Sequence, residues 1–331
     1  MSDGRSTVLR QLGWRLEALG YDVFAALLGL APLEAASAFG GWLVGWLGPI
    51  SWKQKVVIRN LELAFPEKSE AERRAIAREH WRLIGRTFAE FPLMHRLTPA
   101  SGRVEVVGLD RLQAIAAKGE PAILVSGHLS NWEVMMAVIV ASGLKSRVSY
   151  RPANNPYTDQ RIVEGRRRYG VELFAAKGGD GTRGLISALQ RGEAVALLND
   201  QRDDSGVEAP FFGRLVKTAP GPARFALKFD ARLVPMSVVR LKGARFRVTI
   251  HEPIPLDSSG DRAADLVHAV AAINGFIEAR IRERPAEWLW SHRRWPLECY
   301  AGLGVARRKT QPLAADVSGL SESSLRRQGP A

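Results

Sequence analysis

Strand-sized apolar runs alternate with helix-sized amphipathic ones from residue 103 to residue 284, which predicts an α/β fold: a mixed, largely parallel sheet flanked by helices. A nearly uncharged stretch over residues 21–50 adds an N-terminal apolar helical segment suited to anchoring at a membrane. With 331 residues, 46% of them hydrophobic, the chain can bury a sizeable core. Three regions follow: an N-terminal helical region (1–100), an α/β domain (101–303) and a tail (304–331) whose Arg, Lys, Ser, Gly and Pro content predicts disorder.

Lysine and arginine total 47 against 34 acidic residues, a formal net charge of +13. So basic a surface seeks anionic partners: nucleic acid, anionic lipid or an acidic protein. The chain has no RNP motif, zinc finger or basic heptad region, so nucleic acid is not an expected partner, and nine tryptophans turn the balance toward anionic membrane lipid. Cys299 is the single cysteine and no Cys/His cluster surrounds it, which argues against a disulfide framework and a zinc site alike.

Within residues 21–50 only Asp22 and Glu34 are charged, and Trp42 and Trp46 lie near the end. Neither apolar piece, Val23 to Leu33 or Ala35 to Ile50, reaches the roughly 20 residues of a spanning helix. An anchor or an in-plane hairpin at the bilayer surface is expected, with a buried helical hairpin as the alternative. Val56 to Phe65 continues as a helix that Pro66 stops. Ser69-x-x-Glu72 reads as a capping box opening a helix from Glu70 to Phe91, whose stripe of Ile76, His80, Ile84, Thr87 and Phe88 would cover the α/β domain. His80 on that stripe reads as a core or interface residue.

The α/β domain offers strands at Val104–Val107, Ala122–Ser126, Arg147–Tyr150, Val171–Phe174, Ala194–Leu198, Leu233–Val239 and Phe246–His251. Helices fall between them at Leu109–Ala117, Trp132–Ser142, Tyr157–Arg168, Gly184–Arg191, Pro222–Phe229 and Ala263–Arg284. The strand Ala122–Ser126 leads into Gly127-His128-Leu129-Ser130-Asn131-Trp132-Glu133, so a histidine and a carboxylate share a strand-to-helix turn. Five residue steps at 100° each separate the two on a regular helix, so they meet only if His128 lies outside it. Gly127 and an N-cap at Ser130 or Asn131 permit that, and a carboxylate holding one ring nitrogen would leave the other as a general base. The alternative is that Ser130-x-x-Glu133 is an ordinary capping box.

Further along, Asn155-Pro156 reads as a helix start, and Arg166-Arg167-Arg168 as a basic last turn that complements the helix dipole. Asp200 leaves a strand end, where an acid can cap a turn. Adjacent Phe211 and Phe212 in a loop are costly to expose, so they line an acyl groove, touch lipid or fold onto the core. Tryptophan and arginine interleave over residues 288–295, which suits a membrane interface or stacking on single-stranded nucleic acid. Gly127 follows a strand, yet no GxGxxG or Walker-type lysine follows it there, and the chain has no Gly-x-Ser-x-Gly elbow.

Gly127-His128-x4-Glu133 resembles the His-x4-Asp/Glu signature of the lysophospholipid acyltransferase superfamily, and more narrowly that of the late acyltransferases of lipid A biosynthesis, the lauroyl/myristoyl transferases. Arg59-Asn60-Leu61 with Phe65-Pro66-Glu67, Arg166-x-x-x-Gly170, Asp200-Gln201, Phe211-Phe212-Gly213 and Trp288-x-Trp290-x-His292-Arg293-Arg294-Trp295 are similar to further blocks of that family. The resemblance implies a membrane-associated O-acyltransferase at the cytoplasmic face of the inner membrane. It would move a fatty acyl group from an acyl carrier protein or coenzyme A thioester to a hydroxyl of a glycolipid, a lipid A precursor first of all and a phosphatidylinositol mannoside as the runner-up. It implies no metal or redox cofactor. His128 and Glu133 would be the catalytic dyad, with Arg151, Asn155, Arg166, Asp200, Phe211 and Phe212 contacting substrate.

Overall fold

The computed structural model describes residues 2–150, 152–171, 173–175 and 179–304. The chain runs α1 (Ser2–Leu30), α2 (Leu33–Leu47), α3 (Lys53–Ala64), α4 (Glu70–Glu90), β1 (Val104–Val107), α5 (Leu109–Lys118), β2 (Ala122–Ser126), α6 (Glu133–Ala141) and β3 (Ser146–Tyr150). It continues through α7 (Pro156–Arg167), β4 (Leu173–Ala175), α8 (Gly179–Gln190), β5 (Ala194–Leu198), β6 (Arg202–Phe211), β7 (Arg214–Thr218), α9 (Gly221–Phe229), β8 (Arg232–Arg240), β9 (Phe246–Ile250) and α10 (Arg262–Glu283).

Seven strands form one sheet in the order β1-β9-β8-β2-β5-β3-β4. Every neighbouring pair is parallel except β8 with β9. β2 lies at the centre and all five of its residues are buried, as a strand covered on both faces must be. Removing each Leu, Ile or Val of such a strand from water stabilises the fold by about 1.5–3 kcal/mol. A separate hairpin pairs β6 with β7, where a loop was expected. Phe212 and Gly213 make its tight turn, both with positive φ (49° and 68°), as a primed two-residue turn requires. Aromatic residues rarely take that position, and here the Phe212 amide is fixed by Glu278 Oε2 at 2.5 Å.

The apolar stretch at 21–50 is split by Ala31-Pro32 into the end of α1 and all of α2. Among the described residues no helix is long and apolar enough to cross a membrane. α2 lies against α4 at close range because both are glycine where they cross: a Cβ on Gly40 would meet Gly85 O at 2.5 Å, and one on Gly85 would meet Val44 Cβ at 2.6 Å. The opposite side is left open, with Leu12, Leu16, Leu19, Val23 and Leu27 exposed along α1 and Phe39, Trp42 and Trp46 along α2. α4 opens with the capping box that its sequence announces, Ser69 N–H donating to Glu72 Oε2 at 2.8 Å. Its far end reaches the sheet through a buried ion pair, Arg240 Nη1 to Glu90 Oε1 at 2.6 Å. Ser37 Oγ and Asn131 Nδ2 donate to the same carboxylate, at 2.6 and 2.9 Å, so α2, α4, β8 and the loop after β2 share one polar node.

Candidate active site

β2 and β5 are adjacent and parallel, with Ser126 opposite Leu198 at their C-terminal ends. The pairing extends one step further, through Asn199 N–H to Ser126 O at 2.8 Å. His128 and Asp200 each stand two residues beyond the paired ends, so the register of the sheet brings them face to face. His128 Nδ1 lies 2.7 Å from Asp200 Oδ1. The other oxygen, Oδ2, accepts the His128 backbone N–H at 2.7 Å and the Trp288 indole N–H at 2.7 Å. Burial alone would raise the Asp200 carboxyl, but the imidazoles of His128 and His292 and the hydrogen bonds from His128 hold it well below the usual carboxylate range. The ionised acid fixes Nδ1 as the donor and leaves Nε2 as the free base. Gly127 makes this approach possible: a Cβ there would sit 3.2 Å from Asp200 Oδ2 and 3.2 Å from Ile277 Cγ2.

The expected contact between His128 and Glu133 is not the one the fold makes. Glu133 opens α6 with Trp132 at the N-cap, and Ser130, at φ 49°, makes no capping box with it. The Glu133 carboxylate turns away to Arg166, which donates from Nε at 2.9 Å and from Nη2 at 2.5 Å, and Tyr169 O–H donates to it at 3.3 Å. Arg166 is thereby occupied, and the anion it was expected to meet is the protein's own carboxylate. Burial and the neighbouring Glu133 push the Tyr169 hydroxyl far above its ordinary value, so it stays a donor.

A cavity of about 750 Å³ opens beside His128. Leu124, Met135, Met136, Ile139, Leu185 and Phe225 give it an apolar wall, while Glu133, Tyr150, Arg166, Asn199, Arg202 and Arg224 supply its polar part. Asn155 is elsewhere, capping α7 by accepting the Tyr157 N–H at 3.0 Å and donating to Trp14 O at 2.8 Å. All its polar atoms are spent on structure. Phe211 and Phe212 do not line the cavity either. They are buried, with ring centroids 5.9 Å (Phe211–Trp288), 5.7 Å (Phe211–Trp295) and 5.4 Å (Phe212–Phe65) apart, because the β6–β7 hairpin folds them onto the core. Arg151 lies outside the described residues, as does the tail beyond Gly304.

The tryptophan- and arginine-rich segment is also not a membrane interface. Trp288, Trp290, Arg294 and Trp295 are at most 1% exposed, and Arg294 is held by Thr218 Oγ1 at 2.6 Å and Lys217 O at 3.0 Å. The segment is fastened to the Arg59-Asn60-Leu61 block near the N-terminus. Asn60 Nδ2 donates to Trp290 O (2.6 Å) and His292 O (2.7 Å), and Asn60 Oδ1 accepts from Tyr300 O–H (2.6 Å). Two blocks that stand far apart in the sequence are thus halves of one contact behind the His128–Asp200 pair. Sequence reasoning missed Trp288 as a partner of Asp200 and Tyr169 as a partner of Glu133. The tight packing of tryptophans around a histidine was the available signal for the first; for the second there was none.

The model of a family described as bacterial lipid A biosynthesis acyltransferase matches residues 5–296. A lipid A biosynthesis palmitoleoyltransferase of Escherichia coli (strain K12) is 29% identical over 255 residues, 73% of this chain and 78% of that protein. A lipid A biosynthesis myristoyltransferase of the same strain is 30% identical over 259 residues, 76% of each chain. A phosphatidylinositol mannoside acyltransferase of Mycobacterium tuberculosis (strain ATCC 25618 / H37Rv) is 28% identical over 205 residues, 61% of each chain.

Proposed function

Since the chain belongs to the bacterial lipid A biosynthesis acyltransferase family and is an O-acyltransferase, we propose that it moves a fatty acyl group from an acyl carrier protein or coenzyme A thioester to a hydroxyl of a lipid A precursor. The observation that carries this reading is an Asp–His pair whose acid is buried and whose imidazole lines a largely apolar cavity. His128 Nε2 takes the proton of the acceptor hydroxyl as its oxygen attacks the thioester carbonyl. The tetrahedral intermediate collapses with breakage of the C–S bond, the imidazolium returns the proton to the departing thiolate, and the ester remains. Asp200 orients the ring and stabilises its charged form, the part first expected of Glu133. The fatty chain lies between Met135, Met136, Ile139 and Leu185, out of water. Glu133 and Arg166 fix the polar side of the cavity and give it a rigid edge.

The acceptor is a lipid, and the open faces of α1 and α2 suit a bilayer surface. Leu12, Leu16, Leu19, Val23, Leu27 and Leu30 recur at helical spacing on one exposed stripe. Trp42, Trp46 and Trp52 extend it, with the Lys53 ammonium 5.2 Å over the Trp52 ring, an arrangement that places rings at headgroup depth and cations on lipid phosphate. The protein then lies on the membrane with α1 and α2 in its plane. Radiolabelled acyl transfer with lipid A precursor and phosphatidylinositol mannoside acceptors, in membranes carrying the wild-type chain or His128→Ala, tests the proposal. Transfer to the lipid A precursor that falls about 10³-fold or more in His128→Ala is expected. Unchanged transfer in that variant would end the reading, and preference for the mannoside would move it to the other acceptor.

A further inference from the structure

We propose that Trp288 is a positioning residue for the proton-transfer pair: its indole N–H fixes the second oxygen of Asp200 and, through that carboxylate, the imidazole of His128. The inference rests on the acyl-transfer reading above only for its kinetic arm. Asp200 is fully buried, and its Oδ2 accepts two donors, the His128 amide and the Trp288 indole, each at 2.7 Å. Turning the carboxylate out of this plane would leave both donors unpaired in a buried site, which costs more than either hydrogen bond contributes. The indole packs edge-to-face on Trp290 (centroids 4.7 Å apart) and on His292 (5.1 Å).

The backbone around Trp288 holds the other member of the pair. Leu129 and Trp288 form an antiparallel bridge, Leu289 N–H donates to His128 O at 3.1 Å, and Ser130 N–H donates to Glu287 O at 2.6 Å. One short segment therefore grips the His128 loop by its main chain and Asp200 by a side chain. Its part is electrostatic as well as geometric. The indole dipole draws negative charge toward Oδ2, so deleting the N–H leaves more charge facing an imidazolium, and the base must then be freed of its proton at higher pH. Besides Asp200, the titratable and charged groups facing His128 are His292, with its ring 6.2 Å away, and Arg294, whose charge Asp200 feels; Glu133, already paired with Arg166, and His80, beside His292, stand further out. Burial pushes His292 down to about 4, so it is neutral where the acid limb of the rate is read.

The test compares Trp288→Phe with Trp290→Phe, whose indole is equally buried but donates to Pro285 O and does not touch Asp200. Trp288→Phe should lower kcat about tenfold with little change in KM, and move the acid limb of kcat/KM up by about half a pH unit. Trp290→Phe should weaken the fold comparably and leave the limb in place. Should Trp288→Phe fail to fold, benzothienylalanine at position 288 keeps the bicyclic shape and removes only the N–H. The titration of His128 followed by NMR of histidine-labelled protein reads the same displacement without any turnover. A His128 midpoint that is the same with and without the N–H overturns the proposal, whereas a wild-type enzyme that transfers no acyl group overturns the function and leaves this result standing.

Discussion

Asp200 and Glu133 are two buried carboxylates, one behind the His128 that lines the cavity and one in the cavity wall itself, and each is closed off by a basic side chain. Asp200 meets an imidazole, which exchanges a proton readily in the neutral range. Glu133 meets a guanidinium in a two-point contact, and a guanidinium does not give up its proton in a protein. The first pair can therefore run proton transfer, whereas the second is a permanent ion pair that shapes the wall. The difference is decided by the sheet. Asp200 follows β5 by two residues and reaches His128 across a parallel strand pair, while Glu133 stands on α6 and faces α7, where Arg166 waits.

Exchanging one acid at a time breaks this comparison most directly. Asp200→Asn keeps the shape but offers Nδ1 an amide that neither selects its tautomer nor stabilises its charged form, so kcat should fall about 10²–10⁴-fold with KM nearly unchanged. Glu133→Gln should instead act on the fold. It leaves the mostly buried Arg166 charge without a counter-ion, a loss of about 3 kcal/mol in denaturant unfolding, while kcat in the folded fraction falls much less than in Asp200→Asn. Steady-state kinetics and urea titration of both variants decide it, and the reverse order of effects would return Glu133 to the imidazole.

A smaller change sharpens the point. Gly127→Ala puts a methyl group 3.2 Å from Asp200 Oδ2, tighter than a packed contact tolerates, so the carboxylate must move by a few tenths of an ångström. A drop of about tenfold in kcat with the fold intact is expected. A rate equal to wild type would mean that the pair is not held as tightly as its three hydrogen bonds imply.

The sheet was legible because Ala122–Val125 and Ala194–Leu198 are short apolar runs, and both strands form there, the first extending to Ser126. The capping box at Ser69 and the buried place of His80 were legible for the same local reason. What the sequence concealed is partnership across strands. Glu133 is five residues from His128 and was the natural candidate, whereas Asp200 is 72 residues away and is brought up only by the β2–β5 register. A signal was present, since His128 and Asp200 each follow an apolar strand by two residues, but reading it requires knowing that those two strands are neighbours. Phe211-Phe212, expected at the substrate with the core as the alternative, and the tryptophans at 288–295, expected at a membrane interface, are buried by a hairpin and an Asn60 contact that are long-range and so not readable locally.

Histidines near the pair provide the finest test, because they share its neighbourhood but not its acid. Burial pushes His80 down to about 3 and His292 down to about 4 from an ordinary value near 6.5. Between those limits the unfolded chain binds protons that the folded chain refuses, so stability rises with pH through the window, is fully present above about pH 6.5 and is lost as pH falls. Each histidine contributes a slope of about 1.4 kcal/mol per pH unit. The Asp200 carboxyl is also held down, so it changes stability in the same direction, but only below the ordinary carboxylate range and so outside a comparison of pH 5 with pH 7. Urea unfolding at pH 5 and pH 7 should therefore show His80→Gln losing about 2 kcal/mol less than wild type on acidification, without displacement of the acid limb of the rate. His292→Gln should flatten the stability curve alike, yet also disturb catalysis, since its ring leans on both His128 and Trp288. Equal slopes in wild type and His80→Gln would show that the folded chain takes up the proton at His80 after all.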